Sequence, residues 1–184
     1  MRIIAGTLKG RKIVSAPLGN LRPTLGRVKE TLFAILENYC SLEEAHILDI
    51  FAGTGNLGFE ALSRGAHAVT FIEEHPGSLK LVEQNASLLQ VQNRVTILRN
   101  DCFHGITLLA NRKNTFDVIL MDPPFRKDYL NRILAESDIA RLLKSQGILF
   151  CETEKKHALR LPEGWSLLRE RKIADSCLYF LKKD

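Results

Sequence analysis

The sequence predicts an open, doubly wound α/β sheet, and three observations predict it. Five short apolar runs recur, at 46–51, 68–73, 94–99, 116–121 and 147–152. Stretches with helical character lie between them, at 57–64, 77–89, 102–111 and 128–144. The chain closes with two strand-like runs, 165–172 and 176–182, only three residues apart. The first five runs are apolar on both parities, as strands buried on both faces of a parallel sheet are. Their alternation with helices argues for crossover βαβ units. The last two runs must be antiparallel, because a parallel crossover needs about a dozen residues or more.

The N-terminal part reads differently. Residues 2–5 and 11–14 are β-prone and flank Gly6 through Gly10, which predicts a small hairpin or extended arm. Pro17, Gly19 and Pro23 predict a loop over 15–23, and Thr24 is a candidate cap for the helix that follows. Val28, Thr31, Leu32, Ile35, Leu36 and Tyr39 share one helical face, predicting a helix over 27–39. One domain is expected over 1–184, with a basic arm over 1–25 and a Rossmann-like core over 26–184.

Composition narrows the function classes. Of 184 residues, 45% are hydrophobic and 26% charged, enough to bury a core without a membrane span. Cys40, Cys102, Cys151 and Cys177 are scattered, and neither they nor the five histidines show metal-ligand spacing. Thiols without a disulfide framework, and no apolar stretch of signal type, imply a cytoplasmic protein without a metal. The net charge is +5, and it is unevenly placed. Seven basic residues precede the first acid, Glu30, whereas the remainder holds 19 basic and 21 acidic residues. A basic arm of this kind is an electrostatic footprint for a polyanion.

Two motifs carry chemistry. The first strand runs into Gly53, Gly55 and Gly58, a G-x-G-x-x-G loop that opens a helix. Glycines there permit tight turning and close approach to a ligand. Glu73 closes the second predicted strand 20 residues after Gly53, where a carboxylate can accept ribose hydroxyls. Asn100 and Asp101 close the third and can meet an adenine amino group. Asp49, within the first strand, suits a ligand with a cationic amino-acid head rather than a pyrophosphate, and no Lys-Ser/Thr follows the loop as a P-loop requires.

The second motif is Asp122-Pro123-Pro124-Phe125, at the end of the fourth predicted strand. Two prolines fix φ and remove two backbone donors, leaving a rigid, acceptor-rich turn. An exocyclic aryl amine is a poor nucleophile because its lone pair is delocalised into the ring. Acceptors on its N–H groups can aim that lone pair at a methyl donor, and Phe125 can stack on the flat ring.

Together these residues resemble the class I methyltransferases that act on amino nitrogens. The closer resemblance is to the bacterial 16S rRNA guanine-N2 methyltransferases. It rests on MRIIAG…KGRK, on Arg22-Pro23-Thr24 through Arg27 and the ETLF helix, on FAGTGNLGFEALSRGA (51–66), on DPPF and on a closing strand with Tyr179. The sequence departs from that pattern at Gly26, His75 and Ala174-Asp175-Ser176. The resemblance implies a seven-stranded, mostly parallel sheet with a reversed C-terminal hairpin. It implies S-adenosylmethionine, leaving as S-adenosylhomocysteine, near Asp49, Phe51, Gly53, Gly55, Glu73, Asn100 and Asp101. It implies catalysis at Asp122 through Phe125, with Arg11, Arg22, Thr24 and Arg27 on RNA. The expected acceptor is a guanine of 16S rRNA in an assembling or assembled small subunit, and the expected state is monomeric. An adenine-N6 DNA enzyme would need a target-recognition domain. A glutamine-N5 enzyme favours Asn where Asp122 stands. A non-catalytic RNA-binding module would not need the two intact motifs.

Overall fold

The structure, a computed structural model, describes residues 1–15, 24–125 and 128–184, apart from the side chains of Thr24 and Leu25. The expected loop over 15–23, with Arg22, and the capping role of Thr24 lie almost wholly outside the described residues. The order is α1 (Thr24–Leu36), β1 (His46–Ile50), α2 (Asn56–Ser63), β2 (Ala68–Glu73), α3 (Pro76–Leu89), β3 (Val95–Arg99), α4 (Cys102–Asn111), β4 (Phe116–Met121), α5 (Tyr129–Leu134), α6 (Ser137–Leu142), β5 (Leu143–Glu154), β6 (Trp165–Ile173) and β7 (Ser176–Lys183). Seven strands form one sheet in the order β3-β2-β1-β4-β5-β7-β6. The first five run parallel, whereas β7 pairs antiparallel with both β5 and β6.

Burial on both faces explains the apolar runs. Ile47, Val118, Leu120, Ile148 and Phe150 join the cluster beneath α1, α2 and α3. Leu48, Ile50, Ile119, Met121, Leu149 and Cys151 join the cluster beneath α4, α5 and α6. Alternate residues of one strand therefore serve opposite cores. β3 departs from this expectation, since its residues are only half-buried or exposed. It pairs only with β2 and is a sheet edge.

Two helices differ from expectation. α1 ends at Leu36, and Tyr39 lies beyond it, 42% exposed, its hydroxyl donating to the Leu168 carbonyl. The expected helix over 128–144 is two helices broken at Glu136, whose backbone is extended. Leu130, Ile133 and Leu134 are buried, then Ile139 and Leu142. That stripe skips one position, and a continuous helix would turn Ser137 and Asp138 inward instead. β5 correspondingly begins at Leu143, with a register shift against β4 between Phe116 and Val118.

The arm pairs with itself as expected, through an antiparallel bridge of Arg2 and Lys12. Ile3 and Ile13 are buried in the core. What holds the arm is Glu60 of α2, which is 0% exposed. It accepts from the Ile4 and Ala5 N–H groups at 2.8 and 3.0 Å. It also pairs with Lys29 at 2.9 Å and Arg64 at 3.0 Å. Lys29 donates further to the Arg2 carbonyl and to Asn56 Oδ1. Burial lowers the Lys29 pKa, and the adjacent Glu60 acts against that shift. Lys29, counted in the basic arm, is thus a buried ion-pair partner, not part of a polyanion surface.

Glu60→Ala should cost about 3–5 kcal/mol, because it leaves the Lys29 charge buried and unpaired. Urea unfolding checks this. The double variant Lys29→Met, Glu60→Leu should recover part of the loss, and a single-variant loss under about 1 kcal/mol would refute the coupling.

Candidate active site

The C-terminal ends of β1, β2 and β4 meet where the strand order reverses, the position at which open α/β sheets bind ligands. A cavity of about 620 Å³ opens there, within the usual range for small-ligand sites. Its walls bring together Phe51, Glu73, Asn100, Asp101 and all four of Asp122, Pro123, Pro124 and Phe125. Asp49, Gly53 and Gly55 are not among those walls. Gly53 is linked to the wall through its N–H, which donates to Glu73.

The glycine loop is fastened by carboxylates. Asp49 is 2% exposed, and its Oδ2 accepts from the Gly58 N–H at 2.9 Å, at the start of α2. Glu73 Oε2 accepts from Gly53 N–H and Oε1 from His75 N–H, both at 2.8 Å. Asn85, buried on α3, donates to the Thr54 and Val14 carbonyls and so ties loop, helix and arm together. Gly55 has φ +76°, and a Cβ there would fall 2.4 Å from the Phe59 ring. A Cβ on Gly58 would fall 2.4 Å from the Phe71 ring, so α2 can lie this close to β2 only with glycine at that position.

Phe51 also has positive φ, +67°, which is costly for an aromatic residue. That backbone directs its ring onto Tyr129, with centroids 4.8 Å apart. Asp101 caps α4: its Oδ1 accepts from Phe103 and His104 N–H groups at 3.0 and 3.1 Å, and its Oδ2 contacts His104 Nδ1. The carboxylate expected to face an adenine is thus also a helix cap.

The electrostatics favour a cationic ligand. Burial pushes the Asp49 carboxyl well above the usual carboxylate range. The Gly58 N–H opposes this, while the Asp122 and Glu73 charges push in the same direction as burial. Three acids at one crevice repel each other, and positive charge on a ligand relieves that repulsion. Burial also pushes the Cys102 thiol up to about 11, so it stays protonated and unreactive at neutral pH.

Sequence reasoning missed part of the wall. Phe103, Tyr129 and Arg132 line the cavity, and the Arg132 guanidinium lies 4.6 Å from the Phe103 ring centroid and 5.6 Å from that of Tyr129. The only available signal was Tyr129 and Arg132 at helical spacing. Of the RNA-directed residues, Arg27 is exposed, while the Arg11 guanidinium donates to the Leu88 and Leu89 carbonyls at the end of α3. Among the described residues no group of three His, Cys, Asp or Glu could hold a metal ion, and no helix is long and apolar enough to cross a membrane.

A family profile described as "Conserved hypothetical protein 95" matches residues 1–182. A relative in Haemophilus influenzae, named "Ribosomal RNA small subunit methyltransferase D", is 39% identical over 93% of this chain and 88% of its own length. Its namesake in Escherichia coli K12 is 34% identical over 98% of this chain and 88% of its own length. The chain belongs to this methyltransferase family. The solved structure of yhhF from E. coli superposes with a TM-score of 0.82 at 30% identity, covering 100% of this chain and 98% of that one. The fold is also shared with SMU.776, solved with SAH bound (TM-score 0.67, 14% identity). The protein is a class I, S-adenosylmethionine-dependent methyltransferase, and the seven-stranded sheet with its reversed hairpin is the architecture the sequence led us to expect.

The raised Asp49 pKa has a signed consequence for stability. The folded state resists ionising Asp49, so this group's contribution is fully present below the unfolded pKa, near 3.9, and is lost as pH rises through the folded value. Asp49→Asn should therefore lose less stability than wild type from about pH 4 upward. Denaturant midpoints across that range check it, and parallel curves for the two proteins would refute it.

Proposed function

We propose that the protein methylates the exocyclic N2 amine of a guanine in 16S ribosomal RNA, giving N2-methylguanosine. One observation carries this reading: the Asp122-to-Phe125 turn shares a single cavity with Glu73, Asn100 and Asp101. An acceptor-rich turn is thereby set beside a site with the groups a nucleoside ligand needs. The names of the relatives support the ribosomal acceptor, and they do not favour adenine N6, glutamine N5 or a non-catalytic module.

S-adenosylmethionine, when bound, supplies an electrophilic methyl group on a sulfonium centre. Glu73 would accept the ribose hydroxyls, since each of its oxygens keeps a lone pair beyond its backbone N–H bond. Ile72, Cys102 and Phe103, which line the cavity with Asn100 and Asp101, would flank the adenine, and the last two would meet its edge. Asp49, Gly53 and Gly55 hold the loop that receives the amino-acid end. Asp122 and the proline carbonyls hold the guanine amine by its N–H groups and aim its lone pair. Phe125 stacks on the base. Asp122 is also placed to take the proton that the methylated nitrogen sheds. Catalysis is mostly the positioning of an in-line transfer.

Residues 1–25 form the basic arm and 26–184 the catalytic core of one domain. Arg11, Arg22, Thr24 and Arg27 are the residues assigned to RNA contact, and Arg11 also fastens the arm to α3. The acceptor is the small subunit or its precursor, and the enzyme acts there as a cytoplasmic monomer.

Incubation of unmodified 16S RNA, alone and as subunit particles, with S-adenosylmethionine should yield N2-methylguanosine on nucleoside analysis. Methyladenosine or methylated protein in its place would overturn the acceptor. In the same assay Asp122→Ala should lower kcat at least about 100-fold with cofactor affinity unchanged; wild-type turnover would refute its role. Replacing Arg22 and Arg27 with Gln should flatten the slope of log affinity against log salt by about 0.7 per lost phosphate contact. An unchanged slope would remove both residues from the RNA surface.

A further inference from the structure

We infer that Glu154 is a specificity-determining residue that reads the guanine ring, a role that rests on the guanine reading above. The Asp-Pro-Pro-Phe turn holds an amine, and an amine is common to guanine N2, adenine N6 and a glutamine amide. Something beside the turn must tell the rings apart.

β5 lies next to β4 in the sheet, so its C-terminal end stands beside that turn. A narrow cleft of about 30 Å³ opens between them. Its walls include Pro123, Pro124 and Phe125 on one side and Thr153, Glu154 and His157 on the other. The cleft has room for the edge of a ring, not a whole base.

The polar groups facing it are mostly committed. Asp128 accepts from Asn131 Nδ2 at 2.7 Å and is ion-paired with Arg160. His157 Nε2 lies 3.3 Å from Asn131 Nδ2 and 3.7 Å from Asp128. The Thr153 hydroxyl is within donating distance of two carbonyls, of Glu154 at 3.3 Å and of Cys177 at 3.4 Å, and its one proton is taken there. The Glu154 carboxylate makes no hydrogen bond or ion pair with the described residues, and it is only half-buried. Its backbone is held on both sides. His157 N–H donates to its carbonyl at 2.9 Å, Lys155 N–H donates to the Asp175 carbonyl at 2.8 Å, and the Tyr179 hydroxyl pins the His157 carbonyl at 3.1 Å. An uncommitted acceptor on a fixed backbone therefore lines a cleft that continues from the amine-holding turn.

Guanine presents N1–H beside its N2 amine. A carboxylate accepts that N1–H while Asp122 and the prolines hold the amine. Adenine presents a bare N1 acceptor beside its N6 amine, which a carboxylate repels. The same group thus selects guanine and rejects adenine, and a site built around a hydrogen bond discriminates more strongly than shape alone.

The test uses the full enzyme and 16S RNA carrying, at the mapped acceptor position, either guanosine or 2,6-diaminopurine riboside. Diaminopurine keeps the 2-amine but has a bare N1. Wild type should prefer guanosine by about ten- to a hundredfold in kcat/KM. Glu154→Gln, whose amide can donate to a bare N1, should shrink that preference at least about tenfold and leave cofactor affinity unchanged. The preference is a ratio within each enzyme, so partial misfolding of the variant does not alter it. An unchanged ratio in Glu154→Gln, or no preference in wild type, would overturn the role of Glu154 alone. Failure of wild type to methylate guanosine N2 would overturn the functional reading and this inference with it.

Discussion

The buried carboxylate of Glu60 is the interaction on which the rest of the structure depends. Its two oxygens take two backbone N–H groups of the arm, the ammonium of Lys29 on α1 and the guanidinium of Arg64, the residue that follows α2. A charge this deep is tolerated only when its acceptor capacity is filled by well-placed donors. Filling it draws three separate segments to one point. α2 begins at the glycine loop, so whatever fixes α2 also fixes the floor of the cofactor site. Ser63 and Asn85 extend the same stitching, through the Leu8 N–H and the Val14 and Thr54 backbone groups. The arm is thus part of the core's polar framework as well as a carrier of positive charge.

The crevice uses its acids twice. Asp49, Glu73 and Asp101 each accept a backbone N–H that shapes a loop or starts a helix. Glu73 and Asp101 also line the cavity. Fixing a carboxylate by hydrogen bonds to the backbone costs little reorganisation when a ligand arrives, which is how a site becomes preorganised. The concentration of negative charge suits a sulfonium and ammonium ligand, and the rigid proline turn opens onto the same cavity. Glu154 on β5 lines a narrow cleft beside that turn.

Much of this was legible in the chain. The strands of the parallel part were readable from apolar runs because both faces are buried, and the final hairpin from its three-residue link. Gly53, Gly55, Glu73 and Asp122 through Phe125 were readable because their chemistry dictates residue type at fixed strand ends. Other features were hidden. The break at Glu136 depends on which side of α5 and α6 meets the sheet. The half-burial of β3 depends on its being an edge, which strand order decides. Lys29 reads as surface charge until Glu60, 31 residues away, is brought to it.

The sequence by itself determined the fold class, the two motifs and the reaction type, because each is written in local spacing: apolar period, glycine position, strand-end acid, paired prolines. Tertiary structure alone decided that Lys29 is buried, that Asp49 is buried and bonded to Gly58, that Phe103, Tyr129 and Arg132 complete the wall, and that Glu154 shares a cleft with Pro123 to Phe125. Those facts depend on contacts between residues far apart in the chain. No local pattern encodes them, since burial and partnership are set by which elements the sheet places side by side.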